Sequence, residues 1–342
     1  MLLERRVVEP PDAVEHLAGM QAQEPQAPYV GLWSRLTDFR PEELSASIAE
    51  RRLVRSPLMR STIHLVSARD CLRLWPLMRP VFEQNFRGSP FSRRVAHVDL
   101  DALVTTGREL IADEPLSRAE LGRLLAERWP GVDPPSLAYA ITYLSAVVQV
   151  PPRGLWRRTG QARWTTVEAW LGSPLELRSP LADVVLRYLA AFGPATVRDI
   201  QAWCGLTRLR PVIEGLRERL RTFRAESGTE LVDVPHAPLP EPDRPAPPRF
   251  LPPFDNALLA HADRSRIIAA EYRDAVYTDR LMRTFLVDGF VAGTWRIDGR
   301  ALLLRLLRPL DGHDRAALVE EGERLLRFAT PLETRLEVRF ID

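Results

Sequence analysis

Gln21 and Gln23 flank one small residue, Ala22, and stand just ahead of Pro25 and Pro28. In an extended segment, positions i and i+2 face one side, whereas on a helix they diverge by about 200°. An extended backbone here would aim two primary amides at one object. Such a pair can hydrogen-bond a base edge or a phosphate, or fix the direction of a water. The alternative is a pair of surface glutamines near a helix end. A second polar group lies in RSTIHL, where Arg60, Thr62 and His64 alternate with Ser61, Ile63 and Leu65. A strand there puts three polar side chains on one face, which suits phosphate contact, a polar cleft or plain solvation. Arg153, Arg157 and Arg158 surround Gly154 and Trp156. They make a basic aromatic turn of the kind that touches a nucleic-acid backbone, or an ordinary Arg-rich loop. His261, Asp263 and Arg264 follow the apolar run 257–260. Asp263 can pair with a neighbouring Arg or orient His261, in a structural or a cleft role. A triad with Ser265 is poorly supported, because sequence neighbours on a helix do not face each other.

The familiar catalytic signatures are absent. The chain has no GxGxxG, no GxxxxGK, no HExxH and no GxSxG, and its six His are scattered without metal-ligand spacing. Cys71 and Cys204 have no near partner, which argues against a disulfide framework and a thiolate zinc site. Chemistry is therefore expected to rest on polar side chains, with no cofactor and no metal.

Composition frames this expectation. The 342 residues are 45% hydrophobic and 27% charged, which fits a globular chain of two or three packed domains. The formal net charge is only +2, yet all 47 basic side chains are Arg. The guanidinium fork suits phosphates and base edges, but a coding bias toward Arg, Ala, Pro and Gly explains the count equally well. No run of 18 apolar residues occurs, and the N-terminus is charged within its first six residues with no apolar segment behind it. A membrane span and a signal peptide are therefore not expected, and a cytoplasmic, monomeric protein is.

The elements that must position these residues fall into five segments. Residues 1–95 carry the Gln pair, a helix opened by Pro41, a strand over 58–66 and a Ser67/Asp70 cap. Residues 96–175 read as a helix over 100–111, a Ser117/Glu120 capping box, a helix over 136–147 and short strands toward Trp164. Residues 176–235 repeat that order, with Thr196/Asp199 at the matching cap and a hairpin over 221–234. Helix, helix, helix, wing is the winged-helix order, and its recurrence points to duplication. Residues 236–253 form a connector, with nine Pro between 235 and 253. Residues 254–342 alternate strongly, turn at Asp288-Gly289 and Asp298-Gly299, and read as an α+β unit. The expected fold class is mainly α with small β wings, in tandem winged-helix (helix-turn-helix) units.

Six colinear stretches carry a resemblance. They are GMQAQEPQAPYVGLWSRL at 19–36, LMRSTIHLVSARD at 58–70, PPRGLWRRTG at 151–160, FGPATVRDIQAWCGL at 192–206, LPPFDNALLAHADRSRII at 251–268 and LVDGFVAGTWRI at 286–297. Together they resemble the winged-helix DNA-binding domain family of AlkZ-like bacterial DNA glycosylases. The resemblance implies tandem winged helices in a C shape around double-stranded DNA, and a catalytic Gln, hydrophobic residue, Gln signature. Gln21 and Gln23 match that signature, and a sister branch has Asp at the second position. It further implies metal-free release of N7-alkylated purines, with bulky adducts or crosslinks among the substrates, leaving an abasic site. By position and composition, Arg153, Arg157, Arg158 and the Pro-rich connector over 235–253 are the candidate groove or backbone contacts, and Arg60, Thr62 and His64 are expected to line the cleft. Two other readings fit the same elements. One is a non-catalytic DNA-binding regulator or structure-specific binder, and the other is a protein-interaction scaffold.

Overall fold

A computed structural model describes residues 1–241, 243–278, 283–330 and 336–342. It divides into two compact units that are discontinuous in sequence. The larger comprises residues 9–26 and 41–237. The smaller comprises 1–8, 27–40 and 238–342.

The larger unit is organised by one six-stranded sheet. Its strands are β1 (Met20–Gln21), β2 (Leu53–Pro57), β3 (Ile63–Ser67), β4 (Leu116–Ser117), β5 (Val147–Val150) and β6 (Arg163–Thr166). The spatial order is β1-β3-β2-β5-β6-β4, with every pair antiparallel. Helices Leu100–Asp113, Arg118–Arg128 and Pro134–Leu144 pack with β5 and β6 around Leu103, Ile111, Leu121, Leu125, Ile141 and Trp164. Gly107 lets two of these helices close on each other, since a Cβ there would lie 2.3 Å from Ile141 Cδ1. The Ser117/Glu120 capping box is formed, with Ser117 Oγ accepting from Glu120 N at 3.2 Å and Glu120 Oε2 accepting from Ser117 N at 2.8 Å. The Thr196/Asp199 box opens helix Val197–Cys204 in the same way. Beyond it, β7 (Arg221–Arg224) and β8 (Glu230–Asp233) form a hairpin whose Val232 also bridges Ala195.

The smaller unit holds a five-stranded sheet whose spatial order reverses the chain order of its strands. The strands are β9 (Arg249–Phe250), β10 (Thr284–Val287), β11 (Phe290–Asp298), β12 (Ala301–Leu306) and β13 (Glu337–Ile341). Helix Gly312–Ala329 packs Leu318, Leu325 and Leu326 against it. A buried ion pair crosses the unit: Arg35 donates to both carboxylate oxygens of Asp255, at 2.9 and 2.7 Å. Pro242, within the Pro-rich connector, lies outside the described residues, as do 279–282 and 331–335 of the C-terminal segment. Among the described residues no helix is long and apolar enough to cross a membrane.

The expected fold class is corrected by this architecture. The described residues are 47% helical and 18% strand, in sheets of six, five and two strands, which is a mixed α/β fold and not mainly α with small wings. The physical reason is strand pairing across segments. β2, a strand not expected from the sequence, pairs with β3 on one side and meets β5 at Arg55 and Gln149 on the other, so the strands of the first two segments become one sheet.

Candidate active site

Gln21 is brought into place by a short edge strand. Helix Pro10–His16 closes with Gly19 N–H donating to Val14 O at 2.9 Å. Gly19 then turns the chain at φ +93, and a Cβ there would lie 2.7 Å from Val66 Cγ1, so only glycine enters this strand without displacement. Met20 pairs with Leu65 and Gln21 with His64, and Ala22 N extends the ladder to Ile63 O at 2.7 Å. The segment 20–22 is thus laid along β3, and Gln23 follows in a bend. Gln21 is buried, at 8% exposure, and Gln23 is exposed.

Arg60 does not belong to a strand. Residues Met59–Ser61 form a tight 3-10 turn between β2 and β3, so the strand expected over 58–66 is a reversal followed by β3 alone. Arg60 and Ser61 both take left-handed backbone, at φ +57 and +61, a conformation that costs non-glycine residues about 1–2 kcal/mol each. Asn85 braces the turn by donating to Ser61 Oγ at 2.8 Å. Gly205 backs onto it, and a Cβ there would lie 3.3 Å from Arg60 Cα. The turn sends the Arg60 guanidinium two ways. Nη2 donates to Gln21 Oε1 at 2.9 Å, and Nη1 donates to the Trp203 carbonyl at the end of helix Val197–Cys204. A cation there also satisfies one of the carbonyls that a helix C-terminus leaves without an intrahelical donor.

These contacts orient both amides. A guanidinium and a backbone N–H can only donate, so the glutamine atoms facing them are oxygens. Arg60 holds Gln21 Oε1, and Ile63 N donates to Gln23 Oε1 at 3.3 Å. Among the described residues neither amide nitrogen donates to a protein acceptor. The middle residue is held as well. Arg55, 2% exposed on β2, donates to Ala22 O at 2.8 Å and to Gln149 Oε1 at 2.6 Å. Gly154 makes room for it: with φ +97, a Cβ would lie 2.5 Å from Arg55 Cδ. Arg55 and Gln149 carry no motif that marks them in the sequence. A lone Arg inside the apolar run 53–58 is the signal that could have found the first.

His64 shares the sheet face of Gln21 and is fully buried. Its Nδ1 lies 2.8 Å from Thr62 O, so Nδ1 carries the proton and Nε2 the lone pair. Among the described residues Nε2 has no hydrogen-bond partner. Burial, then the Arg60 charge, pull the imidazole from its ordinary 6.5 down to about 3, against the opposing pull of Thr62 O. His64 is therefore neutral at working pH and is no general acid. Thr62 turns its own hydroxyl back to Met59 O at 3.2 Å. Burial likewise pushes the thiols of Cys71 and Cys204 up, to about 12 and about 11, which removes them as nucleophiles.

The Arg-rich turn is tied to the Gln segment through Gln26, which nothing in the sequence pattern distinguishes. Gln26 Nε2 donates to Leu155 O and Gln26 Oε1 accepts from Arg157 N, both at 3.0 Å. Arg157 and Arg158 are exposed, and the Arg157 guanidinium lies 5.5 Å from the Trp156 ring centroid. Arg153 donates to Gly160 O at 3.0 Å within its own turn. His261, Asp263 and Arg264 belong to the smaller unit. There Asp263 accepts from Ser265 N at 3.0 Å, which holds its carboxyl below the usual range, and Arg264 donates to the Tyr277 hydroxyl. Ser265 meets Asp263 through its backbone N–H, which fits a turn.

Comparison with known proteins finds relatives along nearly the whole chain. A curated relative, the interstrand DNA cross-link repair glycosylase of Streptomyces sahachiroi, is 24% identical over 318 residues, covering 86% of this chain and 83% of its own. The solved structure of the Streptomyces sahachiroi DNA glycosylase AlkZ superposes with a TM-score of 0.80 at 21% identity, over 99% of this chain and 95% of that one. At that identity the superposition establishes a shared fold. A family model described as DNA glycosylase AlkZ-like matches residues 14–328. With Gln21, Gln23, Arg60 and His64 all inside that match, which takes in nearly the whole sequence, this chain belongs to the AlkZ-like DNA glycosylase family.

Proposed function

We propose that the protein hydrolyses the N-glycosidic bond of cationic N7-alkylated purines in double-stranded DNA, with Gln21 and Gln23 as its catalytic residues. The observation that carries this reading is the pair of amides two residues apart, each held through its oxygen by a fixed protein donor. Preorganised dipoles of this kind act without reorganising as the reaction proceeds. The substrate supplies most of the activation. Alkylation at N7 makes the purine cationic, so the C1′–N9 bond breaks with its electron pair leaving on a purine that becomes neutral. Water forms the new bond to C1′, its proton passes to solvent, and the products are an abasic sugar and the free alkylpurine. The site must place that water and tolerate an oxocarbenium-like sugar, tasks within reach of neutral amides. Written this way, the reaction asks for no metal or cofactor. The enzyme acts as a monomer, and the Arg153, Arg157 and Arg158 turn, held by Gln26, supplies contacts to the DNA backbone.

Bulky N7 adducts and crosslinks fit the same chemistry, since their leaving groups are also cationic purines, and crosslink repair is what the Streptomyces sahachiroi relative is named for. The test is release of N7-methylguanine, of a bulky N7 adduct and of an N7 crosslink from duplex DNA. The enzymes are wild type and the Gln21→Ala/Gln23→Ala double variant. Release by wild type, loss in the double variant and no release of unmodified guanine are expected. Tight duplex binding with no release of any lesion would return the protein to the class of DNA-binding regulators.

A further inference from the structure

The two glutamines are not equivalent, and the difference originates at Arg60. We infer that Arg60 is a positioning residue that turns Gln21 into a hydrogen-bond donor for a DNA phosphate beside the lesion, leaving the acceptance of the attacking water to Gln23. This rests on the glycosylase reading above. A primary amide has two donor hydrogens and two acceptor lone pairs. On Gln21 the oxygen takes a bond from a cationic guanidinium at 2.9 Å. That guanidinium cannot swing aside, because its other nitrogen is anchored on the Trp203 carbonyl and its backbone is locked in a left-handed turn. A flipped Gln21 would point N–H groups at a cation, so the amide has one orientation.

Two consequences follow for its chemistry. The oxygen, already polarised by a cation, is a poor acceptor for a water that gains positive charge as it attacks. The N–H groups are strengthened as donors by the same polarisation. The corner formed by Arg60 and Gln21 is therefore electropositive and donor-rich. A cationic purine and an oxocarbenium sugar are disfavoured beside it, and an anionic phosphodiester oxygen is favoured. Gln23 has the opposite character. It is exposed, its oxygen takes one neutral backbone donor at 3.3 Å, and among the described residues that side chain meets no cation. It is the amide able to accept from water.

The proposal is tested with Gln21→Glu, Gln21→Met, Gln23→Glu and Arg60→Gln. Each is compared with wild type for affinity to undamaged duplex and for single-turnover release from an N7-methylguanine duplex, at saturating and subsaturating protein. Melting temperatures check that each variant folds. Gln21→Glu replaces a donor by an anion facing phosphate and is expected to lose at least about tenfold in affinity, with a smaller effect on the saturating rate. Gln21→Met, which keeps the length and removes the donor, and Arg60→Gln are expected to follow it in the same direction. Gln23→Glu is expected to bind as wild type does, and its saturating release rate should rise about tenfold or more between pH 4 and pH 7 as the new carboxylate ionises. Wild type should show no such rise. The assignment is overturned if folded Gln21 variants keep wild-type affinity, or if the pH-dependent rate appears in Gln21→Glu and not in Gln23→Glu. Should wild type release no base, the glycosylase reading fails on its own, while the affinity series on undamaged duplex still decides whether Gln21 meets phosphate.

Discussion

His64 makes stability depend on pH in a way that can be calculated from its surroundings. In the folded protein the imidazole stays neutral down to about pH 3, whereas the unfolded chain takes up a proton near 6.5. The folded value is the lower one, so the unfolded state binds more protons throughout the interval between them. Stability is therefore complete above about pH 7 and is lost as pH falls from 6.5 toward 3. Across the whole interval the loss approaches about 5 kcal/mol, and about 2 kcal/mol of it has accrued by pH 5. Any folded-state value below about 4 gives nearly the same loss at pH 5, which makes that pH the informative one. The perturbation is His64→Gln, which can still donate toward Thr62 O but does not titrate. Urea unfolding followed by tryptophan fluorescence at pH 8 and pH 5 gives the assay. Carboxylates contribute alike to both proteins, so the difference in pH sensitivity belongs to the imidazole. Wild type is expected to lose about 2 kcal/mol more than His64→Gln between the two pH values. Equal losses would mean that His64 protonates in the folded state, and the account of it as a neutral, buried group would be wrong.

Three further outcomes are expected. Gly154→Ala should push Arg55 off Ala22 O and lower base release, with a loss of about 1–3 kcal/mol from overpacking and strain at φ +97, read by activity and urea unfolding together. Replacing Arg157 and Arg158 by Ala should reduce the slope of log affinity against log salt by about 0.9 for each phosphate that is no longer neutralised, measured by fluorescence anisotropy on duplex DNA. Asp255→Ala should destabilise the smaller unit by about 3–5 kcal/mol, because it strands the buried Arg35 guanidinium; Arg35→Met/Asp255→Leu should recover much of that stability in thermal melts.

Local chemistry was legible in the sequence wherever it decides structure by itself. The Ser117/Glu120 and Thr196/Asp199 boxes stand where the cap residues indicated, because a cap needs only a turn of chain to form. The hairpin over 221–234 and the alternation after residue 283 became strands for the same local reason. Gln21 is extended, as two amides acting on one object require, but Gln23 lies beyond the strand and is held by a side-chain contact with Ile63 N. Alternation misplaced Arg60, because two successive left-handed residues without glycine leave no trace in a polarity pattern. The joining of β2 to β5 and the partition of residues 1–8 and 27–40 into the C-terminal unit were also hidden. Both are set by distant partners, and a window of neighbouring residues carries no information about those.

The six-stranded sheet also governs when the site comes into being. Gln21 finds His64 across a gap of more than forty residues of chain, and Arg55 reaches Gln149 across 94. Contacts of such separation form only after large loops have closed, whereas the capped helices need only their own turns. A chain that has its helices but not its sheet has neither the Arg60 anchor on Gln21 nor the Arg55 anchor on Ala22. Assembly of the chemistry is thus tied to completion of the larger unit. A half-folded copy therefore lacks both anchors of the glutamine segment.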